Sequence, residues 1–348
     1  MEKNTEKKRG ITGTAQVAFL AMICCVLWGS AFPCVKIGYE LFAVAGDDSA
    51  SQILFAGLRF TLAGLLTIAI ASLLKGKPVA PARTSWGMVF TLCAFQTVIQ
   101  YLFFYMGLAH ASGVRSSIIT GSNVFIAILL ACFIFRQEKM TRAKLIGCIL
   151  GFAGVVLVNW DPGSMGESMR WDGEGFIFLA AVSYAMSSVL IKKYSLREDP
   201  MVLSGYQFFA GGIIMDICGL LMGGHLQAVS PYSLAMLLYL GFVSAAAYSL
   251  WAVLLKYNPV SKVTIFGFMN PVCGVLLSAL LLGEQEQAFG IRTLCALAFV
   301  SAGIYITNSA ASSSGVRSSR ADRNPRNGQV CSERLQAVTD LQGAAPLI

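Results

Sequence analysis

The stretch "MNPVCGVLLSALLL" (residues 269–282) decides the fold, because it has a counterpart earlier in the chain. "SNVFIAILLACFIF" at 122–135 lies over it with Asn123 against Asn270. Two further pairs follow in the same order. "LRFTLAGLL" (58–66) matches "YQFFAGGII" (206–214), setting Phe60 against Phe208 and Gly64 against Gly212. "GFAGVVLVN" (151–159) matches "VSAGIYITN" (300–308), setting Gly154 against Gly303 and Asn159 against Asn308. Trp28 to Lys36 and Tyr184 to Lys192 add a shared spacing at the start of each half. The offsets are 147 to 149, and 156 for that first pair. Apolar strings share a small alphabet, so one match means little. Four in order indicate an internal duplication.

Composition says where such a chain lives. Of its 348 residues 56% are hydrophobic and 13% charged, with a mean hydropathy of +0.66. Soluble domains carry about 25% charged residues, so the apolar surplus must face lipid. Apolar runs are expected to span a bilayer near 12–36, 52–74, 85–107, 113–135, 143–160, 173–191, 201–222, 232–254, 261–282 and 289–308. Each is close to the ~20 residues that a hydrocarbon core requires. The fold class is therefore an all-α polytopic membrane protein, its ten helices forming two five-helix repeats. An odd number of spans per repeat inverts one half relative to the other, and inverted repeats are typical of secondary transporters.

Charge supports this layout. With the N-terminus inside, 21 of the 26 Lys and Arg fall in cytoplasmic segments, and Lys36, Arg115, Arg170 and Arg292 fall outside. This is the positive-inside bias. The net charge of +8 is thus a topology signal and calls for no nucleic-acid partner. A plasma-membrane protein with both termini cytoplasmic is expected. Residues 1–11 form its N-terminal segment, and 309–348, rich in Ser, Arg, Asn and Gly, a disordered cytoplasmic tail. Lys7, Lys8 and Arg9 precede an apolar stretch too long for a signal-peptide core, so the first helix is retained. The ten cysteines lack C-x-x-C pairs and read as small apolar filler rather than a disulfide framework or metal site. No H-E-x-x-H, nucleophile elbow or Walker A motif occurs. An enzyme, a cofactor and ATP-driven transport are not expected; a membrane enzyme, or a channel or scaffold, stands as the alternative to a transporter.

The residues now quoted resemble the drug/metabolite transporter superfamily in its EamA-domain branch: "LWGSAF" (27–32), "LRF" (58–60), "GFAGVVLVN" (151–159), "GEGFIFLAAVSYAMSSVLIKK" (173–193) and "NPVCGVLLSALLLGEQ" (270–285). The resemblance covers about residues 12–308, as one EamA-like repeat at 12–160 and a second at 172–308. It implies a ten-helix inverted-repeat bundle moving small polar metabolites, amino acids or related compounds, or drugs, by alternating access, with many members exporters. One departure stands out. The family has a proline in helix 4 as in helix 9, but Val124 occupies the place of Pro271, so helix 4 is expected to be the straighter of the two.

Helical spacing gathers intramembrane polar groups into stripes, which should face the interior because lipid-facing polar groups are expensive. They are also compatible with interhelical hydrogen bonding alone. Gln96 and Gln100 share a face of helix 3, as do Ser116, Thr120 and Asn123 of helix 4. Ser183 and Ser187, with Tyr184, lie on helix 6, and Ser244, Tyr248 and Trp251 on helix 8. Of these, Gln96, Gln100, Asn123, Tyr184, Tyr248 and Trp251, together with Trp28, Gln207 and Asn270, are the candidate substrate pathway. Pro33 and Pro271 are candidate kinks. Arg59 is a candidate for a substrate carboxylate, against a snorkelling or helix-end contact. Asp216 is the candidate for proton coupling. Glu138 and Glu284, at helix ends, read as structural or gating residues. The partners expected are the lipid bilayer, a small-molecule substrate and protons; oligomeric state is not legible.

Overall fold

The computed structural model describes residues 13–136, 139–159, 170–227, 229–258, 263 and 265–321, and every regular element among them is a helix. The first half holds α1 (Thr14–Leu41), α2 (Ser49–Lys75), α3 (Arg83–His110), α4 (Gly113–Ile134) and α5 (Arg142–Asn159). The second holds α6 (Trp171–Ile191), α7 (Pro200–Leu221), α8 (Pro231–Tyr257), α9 (Phe266–Leu282) and α10 (Ile291–Ala321). α10 thus extends past the boundary expected at 308. The rest of the expected tail, the N-terminal twelve residues, Gln137 and Glu138 lie outside the described residues.

Local chemistry sets the helix ends. Asp48 accepts from Ser51 N at 3.0 Å to cap α2, and Asp199 accepts from Met201 N at 2.8 Å to cap α7, with Pro200 in the first turn. Ser230 and Ser233 form a reciprocal capping box ahead of α8. These side chains satisfy N–H groups that the first helical turn leaves free.

Packing converts the sequence repeat into geometry. α2 lies against α7, and α5 against α10; each helix therefore packs on its own counterpart. The remaining major pairs exchange likewise: α1–α8 with α6–α3, α1–α9 with α6–α4, and α8–α2 with α3–α7. At the α2–α7 crossing a Cβ on Gly64 would overlap the Phe209 backbone, and one on Gly212 the Thr61 backbone. The 148-residue offset carries Gly64 to Gly212 and Thr61 to Phe209, so these two contacts are one contact seen from each repeat. Gly57–Asp216 and Gly205–Ile68 are a second such pair. The first number rises as the second falls, so α2 and α7 run antiparallel. Gly147 against Gly303 and Gly154 against Ala296 repeat the arrangement between α5 and α10. Equivalent helices running in opposite directions are what inverted repeats require.

The expectation of a straighter helix 4 is overturned. α4 is interrupted at Gly121–Ser122, where Gly121 N and Ser122 N donate three residues back, to Ile118 O (3.1 Å) and Ile119 O (2.9 Å). Regular helix resumes at Asn123. In α9 a 3₁₀ turn, Ile265–Phe268, gives way to regular helix at Met269, one residue before Asn270. Both repeats therefore break at the same place. Pro271 falls in the first α-helical turn, where a missing N–H is tolerated, so the break precedes it. In α4 the interruption occurs without a proline and coincides with a close approach at Gly121: a Cβ there would stand 2.9 Å from Val300 Cγ1 and 3.7 Å from Pro271 Cγ. α1 by contrast is helical throughout, with Pro33 inside it.

Candidate functional site

Phe60 and Phe208 are counterparts in the two repeats and stack on each other, centroids 5.5 Å apart. A residue that touches its own counterpart lies on the pseudo-two-fold axis. Tyr101 lies over Phe60 at 3.9 Å, and Tyr248 meets Phe208 edge-on at 4.9 Å. These tyrosines are themselves 147 residues apart, and their side chains lie near each other. Trp28 packs on Tyr248 at 5.6 Å, and its counterpart Tyr184 also lies near Tyr248. The centre of the bundle is thus a two-fold-related cluster of six aromatic side chains.

Amide groups border this cluster. Gln96 lies in a wide π-helical turn of α3, Cys93–Ile99, and Gln100 opens the regular helix after it. Ser183 Oγ donates to Phe95 O inside the wide turn at 2.6 Å. Gln96 lies near Tyr248 and Gln100 near Tyr101, and both Oε1 atoms are buried without a hydrogen-bond partner among the described residues. Gln207, fully buried, accepts from Thr97 Oγ1 at 2.5 Å, and its Nε2 is unpartnered. Unsatisfied buried polar atoms are rare enough to indicate a missing partner such as water or ligand.

Arg59 is the counterpart of Gln207 and is 3% exposed. Its Nε donates to Leu240 O (3.2 Å), Nη1 to Tyr105 Oη (2.8 Å) and Nη2 to Ser244 Oγ (3.0 Å). The guanidinium carbon stands 5.0 Å from the Phe60 ring centre and 6.0 Å from those of Tyr101 and Tyr105. Arg59–Ser244 mirrors Gln207–Thr97 across the axis. The snorkelling and helix-end readings are both corrected: the side chain turns inward, and Leu240 is mid-helix. Three neutral acceptors engage only part of this interior guanidinium's hydrogen-bonding capacity and leave its charge unneutralised.

The other candidates divide. Trp251 joins the cluster through Trp28 at 5.2 Å. Asn123 and Asn270 mark the two helix breaks; both are half-buried, and Asn270 Oδ1 is unpartnered. Asp216 stands apart. Its Oδ2 accepts from Thr61 Oγ1 at 2.8 Å and its Oδ1 lies against Gly57. Arg59 is two residues from each of these, roughly 200° round α2, so α2 separates the carboxylate from the guanidinium. Glu284, just after α9, ties helix ends together: it accepts from Gly113 N (3.0 Å) and Val114 N (2.8 Å) at the start of α4 and lies 3.9 Å from Lys36 Nζ of α1.

Sequence reasoning missed Phe60, Phe208, Tyr101 and Tyr105 as site residues, since aromatic side chains in apolar runs resemble packing. A signal existed for two pairs: Phe60 and Phe208, like Tyr101 and Tyr248, are separated by the repeat offset.

Comparison with known proteins agrees with this architecture. The model of the EamA-like transporter family matches residues 16–160 and 171–309. An "uncharacterized transporter" of Archaeoglobus fulgidus is 27% identical over 288 residues, covering 80% of this chain and 94% of its own. A "probable amino-acid metabolite efflux pump" of Salmonella typhimurium is 26% identical over 298 residues, covering 83% and 93%. A "WAT1-related protein, chloroplastic" of Arabidopsis thaliana is 26% identical over 292 residues, which span 81% of this chain and 66% of the plant protein. A solved crystal structure superimposes with a TM-score of 0.59 at 19% identity, covering 84% of this chain and 96% of its own; that likeness concerns the fold alone.

Proposed function

The chain belongs to the EamA-like transporter family, and from that premise we propose that it exports a small polar metabolite across the plasma membrane by alternating access. One observation carries the reading: the pseudo-two-fold axis passes through a buried aromatic cluster bordered by unsatisfied amides. A site shared by both inverted repeats can face either side as one repeat rocks against the other. Trp28, Gln96, Gln100, Tyr184, Gln207, Tyr248 and Trp251 line the pathway, and Asn123 and Asn270 sit where α4 and α9 give way. The bacterial relatives named as efflux pumps support the outward direction and an amino-acid-like cargo. The distribution of Lys and Arg supports cytoplasmic termini. Asp216 is the proposed proton-coupling group, standing outside the cluster but on the helix that carries Gln207.

The test is reconstitution into liposomes and measurement of labelled amino-acid and organic-acid fluxes. Saturable flux with counterflow is expected. Flux linear in concentration would support a channel, and chemical conversion without flux an enzyme; either overturns the proposal.

A further inference from the structure

The transporter reading leaves the cargo's chemistry open, and Arg59 narrows it. We propose that Arg59 binds an anionic carboxylate of the transported molecule, whose apolar body lies against the Phe60–Phe208 stack. This inference rests on the transporter reading and adds to it the class of substrate.

Three observations converge. First, the guanidinium has five N–H donors, and the acceptors found for it are one carbonyl and two hydroxyls, leaving two donors without an acceptor among the described residues. Second, no carboxylate forms an ion pair with it there; the ion pairs found are Lys36–Glu284, Lys75–Asp199, Arg115–Glu174 and Arg170–Asp172. The intramembrane carboxylate Asp216 lies across α2 and bonds Thr61 instead. A buried charge is usually paired, and a planar fork with free donors suits a carboxylate in particular. Third, the fold itself supplies a comparison. Gln207 occupies the equivalent position in the other repeat and pairs with the equivalent residue, accepting from Thr97 where Arg59 donates to Ser244. A neutral amide therefore meets the structural need of this position, and the positive charge is extra to it. Interhelical bracing alone does not account for an arginine in one repeat when glutamine serves in the other.

The experiment uses the full-length protein purified in detergent and matched probe sets sharing one body and differing in head group. Phenylacetate, phenylacetamide and 2-phenylethylamine form one set; L-leucine, L-leucinamide and isoamylamine form another; 4-methylvalerate, its amide and its amine form a third. Ligands that bind only the folded state raise its melting temperature. The acids are expected to do so at concentrations at least tenfold below their amides and amines. Arg59→Gln, which installs the residue of the equivalent position, should remove that tenfold preference while leaving the unliganded protein monodisperse and helical. Arg59→Lys should keep a preference for acids at weaker affinity. Amides or amines stabilising as well as acids, no acid stabilising at all, or an undiminished preference in Arg59→Gln would each overturn the proposal. Should Arg59→Gln fail to fold, Arg59→Lys decides: loss of all head-group preference with the charge retained overturns it. The outcomes also separate the two readings. Arg59-dependent acid binding without flux removes the transporter and keeps the site. Saturable flux of uncharged compounds with no acid preference does the reverse.

Discussion

Phe60 and Phe208 stack at 5.5 Å with their rings 29° apart, although 148 residues separate them in the chain. Because each is the other's counterpart, this contact locates the axis about which the two repeats are related. Four polar side chains are arranged around it: Arg59 and Gln207 to either side, Tyr101 and Tyr248 over the two rings.

The α2–α7 crossing depends on the absence of side chains at two equivalent positions. Gly64→Leu or Gly212→Leu forces the helices apart and should destabilise by about 1–3 kcal/mol or more, as overpacking does. The melting temperature in detergent should fall for both. Gly87→Ala in α3, with open space around it, should instead be neutral or stabilising by up to about 1 kcal/mol. Equal behaviour of the three variants would contradict the crossing.

Gln96 carries a buried carbonyl oxygen without a partner, which burdens the fold. Gln96→Leu removes that unsatisfied group and should leave the melting temperature unchanged or raised. Flux should nevertheless drop at least tenfold. Preserved flux would place Gln96 outside the pathway.

Glu284 caps α4 and faces Lys36. Glu284→Ala should cost about 1 kcal/mol, in the range for lost helix caps, read as a lower melting temperature. Amide hydrogen exchange at Gly113 and Val114 should speed up, because the start of α4 loses its anchor. No change in either would show that the cap is dispensable.

Asp199, outside the membrane spans, is opposed by its partial burial, but the Lys75 ammonium at 2.9 Å and the N–H groups of Met201 and Val202 outweigh that and hold its carboxyl below the usual range. A carboxyl lowered in the folded state contributes stability that is complete above the unfolded value of about 3.9 and disappears as pH falls through the folded value. Melting temperature should therefore decline between about pH 5 and pH 3 less steeply in Asp199→Asn, which keeps the cap but not the charge. A parallel decline in both proteins would remove Asp199 as a source of acid sensitivity.

Asp216→Asn tests coupling. Uptake driven by a pH gradient should vanish in the variant while substrate exchange persists. Unchanged gradient dependence would leave Asp216 with only its contact to Thr61.

How much of this was legible beforehand differs by feature. The helix spans, the duplication and the inversion followed from apolar run lengths, ordered matches and an odd span count. Stripe spacing also found Gln96, Gln100, Tyr184 and Tyr248, because a polar residue in an apolar run is conspicuous. Phe60 and Phe208 were inconspicuous for the same reason: in lipid-spanning segments an aromatic ring looks alike whether it packs, faces lipid or lines a site. The interruption of α4 was not legible because no proline marks it, and the close packing on Gly121 comes from Val300 and Pro271 on other helices.

By itself, then, the sequence determined the helical membrane architecture and its two-fold plan, since hydrophobicity, helical period and charge bias are properties of a segment and its flanks. Only the tertiary structure decided that Arg59 turns inward while Asp216 sits behind α2, that Gln207 mirrors Arg59, and that Phe60 meets Phe208. Those outcomes depend on which helices become lateral neighbours. Among helices of similar apolarity in lipid, close packing and interhelical hydrogen bonds make that choice, and no single segment encodes it.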